Sequence, residues 1–364
     1  MRVETIVWTV DQVCQGDAPV GFDDPASLIG VNEGRRDAFL ENPFLGDDNR
    51  ELQIIGHINH EVVGRLNVFP LEIVADGHVI TAMCGDSLYV RDEYRKTLYG
   101  VTLLDKLNNV SKDRVSLSAG FSVVAQQLIR LLKNTVYPLR KFMLVRRSRA
   151  ILAGCGRLYP LIHLSSFFDL GFALYNWVGK CRTCIALRGY ELVEIGHDDD
   201  GAIAKFCKMI ADDRHRFREN ITPSWVRWAL KNDFHRDWLL SKNLYGYKKG
   251  GEFVAFVMTR STQEDGHKIG KIIEWQVDEK CRSLEKNMIL CVMQKELRDL
   301  DYVHLSIGEV DSAGMNWRNG FLPGFGCHVV SIGMGRDSVL RQHEGFDNIA
   351  NWRLRGGMGD LCFS

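Results

Sequence analysis

VVGRLNVFPLEIVADGHVITAMCGDSLYVRDEYRKTLYGVTLL, residues 62–104, decides how this chain is read. Residues 62–74 alternate apolar and polar side chains over a length that suits a strand. Ala75, Asp76, Gly77 and His78 form a tight turn, and 79–90 is a second β-rich run, so the two make a long hairpin. Gly85 interrupts the second run, as glycine does at a bulge or where another backbone or a ligand comes close. A basic turn follows, and then a helix with Val101, Leu104 and Leu107 at helical spacing.

Outward from this core, 115–121 reads as a short strand, 123–133 as a helix and 141–145 as a returning strand. From Arg146 to Arg188 the chain becomes an apolar connector broken by Gly154, Gly156 and Pro160. The second half restarts with a strand at 189–195, an acidic turn at Asp198–Asp200 and a helix from about Ala202. Thr222 and Pro223 are an N-cap and first-turn proline for the next helix. Two strands joined at 248–251, a strand at 269–277, a helix over 283–300, a strand at 302–307 and a last strand within 324–334 complete the order. Hairpin, strand, helix, strand and terminal strand thus occur twice, which is a structural repeat.

The length of 364 residues agrees with two domains, expected as 1–148, a helical connector at 149–187, and 188–364. Lys plus Arg, at 46, equals Asp plus Glu, a balance that argues against a general nucleic-acid binder. Ten scattered cysteines show no disulfide-scaffold spacing, and the N-terminal segment lacks a long apolar h-region, so a cytoplasmic protein with reduced thiols is expected. The apolar stretch 161–178 carries His163 and Asp169 and falls short of a span, so a buried or interfacial helix is expected there, with membrane contact as the less favoured outcome.

The basic turn holds the chemistry. Unsatisfied N–H groups and the dipole at a helix start accept phosphate, and Arg91, Arg95 and Lys96 add full charges. A solvated polar turn is the simpler alternative. Asp86, on the strand before the turn, is the candidate general base toward an ammonium nucleophile; otherwise it is a strand-end carboxylate paired with Arg95 or water.

The segment from Tyr94 to Gly100 resembles motif A of the GNAT acyltransferases, in which Arg or Gln, two residues, Gly, one residue and Gly or Ala follow the fourth strand. Arg95 and Gly100 match, and Leu98 stands at the first glycine position. The hairpin and the stretch through Val145 are similar to the enhanced-intracellular-survival-like branch. The resemblance implies a mixed α/β fold of the α+β type: two GNAT-like domains, each a mixed, mostly antiparallel twisted sheet flanked by helices. It implies acetyl-CoA or another acyl-CoA as co-substrate, bound by Leu88, Tyr89, Val90, Arg95, Lys96, Thr97, Leu98, Tyr99, Gly100 and Val101, and no metal. Where many relatives place a Tyr as general acid toward the CoA thiolate, this chain has Ile129, which cannot donate a proton.

The corresponding turn of the second half, 277–290, has Arg282 followed by Glu285 and Asn287, so that half is expected to be degenerate and, as in Fem-type transferases, to help shape the acceptor groove. Two functions follow: acyl transfer to a small-molecule or peptide amine, or a hydroxyl, held between the domains, or a catalytically silent tandem protein that binds a metabolite or protein partner. Cys181 and Cys184 form a lone CxxC, read as buried thiols, and His57 and His60 are read as surface histidines.

Overall fold

The computed structural model describes residues 4–9, 11–12, 33–46, 50–59, 61–95, 97–111, 114–119, 129, 132, 134–154, 158–234, 236–308, 311–312, 315–324, 328–334 and 343–355. The first half supplies strands β1 (Glu4–Thr9), β2 (Glu51–Ile58), β3 (Glu61–Ala75), β4 (His78–Val90), β5 (Val115–Ala119) and β6 (Thr135–Val145). The hairpin expected from sequence is β3 and β4, closed by Ala75 opposite His78. Its two loop residues, Asp76 and Gly77, have φ of 49° and 85°, the mirror-image turn that an Asp-Gly pair favours and whose twist matches the strands.

The second half repeats the order with β7 (Glu191–Ile195), β8 (Phe217–Glu219), β9 (Leu239–Lys249), β10 (Glu252–Glu264), β11 (His267–Val277) and β12 (Tyr302–Gly308), then β13 (Leu322–Pro323) and β14 (His328–Met334). The β10–β11 hairpin closes at Glu264 opposite His267 through Asp265 and Gly266, again with positive φ at both. It is the counterpart of β3–β4. β5 runs parallel to β4, and β12 parallel to β11; the other sheet pairings are antiparallel.

All of these strands join one mixed sheet, ordered β1-β2-β3-β4-β5-β14-β6-β12-β11-β10-β9-β7, with β8 on β3 and β13 on β6. The centre is an exchange. The last strand, β14, lies beside β5 of the first half, and β6 lies beside β12 of the second. Both halves therefore lose an open sheet edge at the same place. The returning strand also begins earlier than its apolar residues suggest, because Thr135–Leu139 pair with β14 while Leu139–Val145 pair with β12.

Helices α1 (Glu33–Leu40), α2 (Tyr99–Ser111), α3 (Ser148–Gly154), α4 (Ser165–Ala186), α5 (Asp200–Ala211), α6 (Pro223–Lys231) and α7 (Glu285–Glu296) flank the sheet. Strand alternation sorts the cores: Leu66 and Val68 of β3 pack with Leu103, Leu104 and Leu107 of α2, whereas Phe69, Leu71 and Ile73 join Phe206 of α5 and Trp225 of α6. On β10, Ala255 and Val257 meet Met288 and Ile289 of α7, and Phe256 and Met258 join the same cluster as Phe69. Helix α6 starts as its sequence requires, with Thr222 Oγ1 accepting from Trp225 N at 3.2 Å and Pro223 in the first turn. The helix expected at 283–300 is shorter, α7 being preceded by a 3₁₀ turn over Glu279–Leu284. Most of the expected 123–133 helix lies outside the described residues.

Candidate active site

The described parallel ladder between β4 and β5 runs to Gly85 opposite Ser118, and β4 continues to Val90 paired with β3. Asp86 is thus the first residue of β4 beyond the described ladder with β5. Gly85 itself is regular, paired with Val68, and its lack of a side chain has a packing cause: a Cβ there would meet Leu107 Cδ2 and Ser118 Oγ at 2.8 Å. The bulge follows it. Arg65 opposes Tyr89 while Asn67 opposes Asp86, so β4 carries one extra residue within 87–88. A bulge leaves that residue outside the ladder and turns the strand.

Asp86 is buried, and Arg35 of α1 donates to its Oδ2. Arg35 also lies over the Phe234 ring, 4.2 Å from its centroid. The pairing with Arg95 weighed from sequence is not the one found; Arg95 bonds Asp92 at 2.9 Å and the Val90 carbonyl at 3.1 Å. Arg65 stands over the Tyr89 ring at 5.2 Å, and burial, with the neighbouring Arg35 charge, holds its guanidinium below the usual value. Nothing in the local sequence around Arg35 signals this role, because its partners come from β4 and from the second half of the chain.

Leu88 and Val90 pack partly buried against the α2 core, and Tyr89 is partly exposed. After Val90 the chain makes a 3₁₀ turn over Asp92–Tyr94 and enters α2 at Tyr99. The Thr97 hydroxyl donates to the Tyr94 carbonyl and accepts from Tyr99 N at 3.3 Å, fixing the entry to the helix. Gly100 is buried in the first turn, Val101 is half-buried, and Leu98 is 65% exposed, its side chain in solvent. Lys96 lies outside the described residues. The amides of such a first turn lack intrahelical acceptors. The loop cations are already engaged: Arg91 pairs with Glu61, and Arg95 with Asp92. Exposed pairs of this kind contribute only about 0–1 kcal/mol, so a phosphate can displace them.

Ile129 is fully buried among Ile54, Leu66, Leu103 and Leu107. The buried tyrosine of β6, Tyr137, donates to the Phe346 carbonyl at 2.6 Å, and burial raises its phenol well above the ordinary value.

The second half opens at the same point and is filled. The β11–β12 ladder ends at Ile272 opposite Leu305, and β11 bulges at Ile273, between Ile272 opposite Thr259 and Glu274 opposite Met258. Residues Trp352–Arg355 bond to both separated strands. Gly308 N donates to the Leu354 carbonyl at 3.0 Å, Arg355 bridges Ile307, and Arg353 donates to the Trp275 carbonyl at 2.7 Å and to both oxygens of Glu274 at 2.7 and 2.8 Å. Arg355 sits over the Trp275 ring at 4.1 Å, and the indole donates to Glu285 Oε1 at 2.8 Å, at the start of α7. His215 touches Asp213 and, at 3.3 Å, Asp311, beside Arg353 and Arg355. This buried ionic group was not legible in the sequence, since its members lie far apart.

Two halves built on the same strand order, each with a bulge just beyond the described ladder of its parallel pair, define the architecture. The fold is that of a tandem GNAT protein. Solved structures share it. Saccharomyces cerevisiae N-myristoyltransferase with bound myristoyl-CoA is similar at a TM-score of 0.57, with 11% identity over 94% of this chain and 83% of that one. The same enzyme with bound myristoyl-CoA and inhibitors also gives 0.57, at 14% identity over 92% and 81%. A tandem GNAT protein from the clavulanic acid biosynthesis pathway gives 0.50, at 12% identity over 91% and 98%. No family model and no curated protein matches the sequence.

Among the described residues, no group of three or more His, Cys, Asp or Glu is placed to hold a metal. Cys181 and Cys184 are exposed on α4 rather than buried, and His57 is buried rather than on the surface, because it lies within β2, both faces of which are covered, residues 52–58 all being buried. His60 lies outside the described residues.

Proposed function

We propose that this GNAT-fold protein is an acyl-CoA-dependent acyltransferase that moves an acetyl or longer acyl group to an amine, or a hydroxyl, held between its two halves, taken as 1–148 and 188–364 with 149–187 connecting them. The observation that carries the reading is the end of the described β4–β5 ladder at Gly85–Asp86, from which β4 leads through a bulge to the basic start of α2. The pyrophosphate of acyl-CoA would meet the first-turn amides of Gly100 and Val101 with Arg95 and Lys96, beside the Thr97-capped Tyr99 and Leu98, while Leu88, Tyr89 and Val90 would line the pantetheine and thioester. An amide released by the bulge is a donor suited to a thioester carbonyl as it gains charge. Asp86, oriented by Arg35, would take the proton of the attacking ammonium directly or through water. The second half, its opening filled by Trp352–Arg355, would take no acyl-CoA.

Burial of Ile129 favours a second reading, because no proton donor toward the thiolate comes from that position. Under it the protein binds acyl-CoA and a partner without turnover. Single-turnover assays over a panel of amines separate the two: the transferase releases CoA thiol, and the silent binder retains intact thioester. In the active protein, Asp86→Asn should lower kcat by about 10²–10⁴-fold and leave acyl-CoA affinity within about twofold. Full turnover by Asp86→Asn would remove the base role.

A further inference from the structure

Helix α4 is apolar on both sides. Its inner side, with Phe168, Phe172, Gly179 and Thr183, packs inward: Thr183 Oγ1 meets Gln294 Oε1 of α7 at 3.1 Å, and Asn176 donates to the Val145 carbonyl at 2.7 Å. Its outer side carries Phe167, Leu170, Leu174, Trp177 and Ile185, spaced by three, four, three and eight residues and each 62–77% exposed. Tyr159 and Leu164, just before the helix, extend the same exposed apolar surface. A row of large exposed apolar side chains along one helix face is the kind of surface that marks a docking site. Beneath it, Val145, Ile151, Leu152, Phe168 and Phe172 line an apolar cavity of about 330 Å³ that reaches the surface at Leu161.

The charge around this surface selects the occupant. Residues 146–188 contain seven Arg and Lys against the single acid Asp169, in a chain whose formal net charge is zero. Arg146, Arg149, Lys180, Arg182 and Arg188 are exposed, whereas Asp169 is turned inward to accept from Ser148 N at 2.6 Å. On the helix, Lys180 and Arg182 flank the apolar stripe on opposite sides. Apolar residues bordered by cations are the pattern of a helix that lies in the interface of an anionic bilayer. A two-fold pairing of this chain through the same stripe would instead bring two net-positive segments together. No helix among the described residues is long and apolar enough to cross a membrane, so the contact is peripheral.

We propose that the outer face of α4 docks the protein on anionic membrane surfaces. The test is co-sedimentation of the full chain with vesicles of phosphatidylcholine alone or mixed with phosphatidylglycerol, at low and high salt. Binding should favour the anionic vesicles and weaken with salt. Leu170→Glu with Leu174→Glu should abolish it, and circular dichroism should show the fold unchanged, because both side chains are exposed. Lys180→Gln with Arg188→Gln should lower partitioning about 20- to 30-fold, at about fivefold per cation. Three results overturn the proposal: no binding to either vesicle, binding that the Leu170 and Leu174 substitutions leave intact, or a dimer in sedimentation equilibrium that those substitutions dissolve. None of these outcomes bears on acyl transfer.

Discussion

At the residue scale the site depends on which side chains are missing as much as on which are present. Gly85 lets α2 and β5 approach β4 just where the parallel ladder ends, and a methyl there would press on Leu107 and Ser118. Gly85→Ala should destabilise the fold by about 1–3 kcal/mol, the usual range for overpacking, and thermal unfolding measures it. A stability within 0.5 kcal/mol of wild type, as is usual for a surface change, would show that Leu107 and Ser118 can make room and that close packing does not require glycine there. Leu98 differs. Although it stands where glycine is usual in motif A, its side chain projects into solvent. The sequence pattern registers residue types, and the direction of the side chain decides whether the departure obstructs the loop.

At the element scale, turns carried more of the fold than the strands they join. Asp76-Gly77 announces its hairpin, and in the structure Asp265-Gly266 closes the matching one by the same chemistry. The β4 bulge was legible only to within a few residues, since glycine at 85 marks the close approach and the extra residue follows it. The filling segment was not legible. Arg353 and Arg355 are buried against Glu274, Trp275, Asp311 and Glu285, all distant in sequence, so no local pattern distinguishes them from exposed cations.

The same buried group gives the protein a pH signature. Burial acts against charge on His215, but its bonds to Asp213 and Asp311 outweigh it and raise its pKa above 6.5. A raised folded value stabilises fully below the unfolded pKa and is lost as pH climbs through the folded one. Burial acts against Asp311 too, yet His215 and Arg355 bring it down to about 2 from 3.8, a contribution of about 2 kcal/mol that is lost as pH falls from about 4 through 2. Melting temperature should therefore be highest between about pH 4 and 6.5. His215→Gln should flatten the alkaline side of that profile. An unchanged profile would mean that the His215 contacts contribute nothing to folding.

At the scale of the whole molecule, the strand exchange makes one sheet of two related halves and leaves them unequal. Their order was readable because each half repeats hairpin, parallel strand and helix. The placement of β14 beside β5 and β6 beside β12 was not, because pairing between distant strands leaves no mark in local periodicity. In one half β4 runs on past its described ladder with β5, and the other half fills the equivalent place with the chain's own residues.

The central claim is a single acyl-CoA site in the first half, and isothermal titration with acetyl-CoA and longer acyl-CoAs at low salt tests it most directly. One molecule should bind per chain, with affinity falling about tenfold to a hundredfold in Arg95→Ala/Lys96→Ala, as the loss of charge-assisted phosphate contacts requires. Absence of binding at every acyl length, two molecules per chain, or an affinity untouched by that double substitution would contradict it.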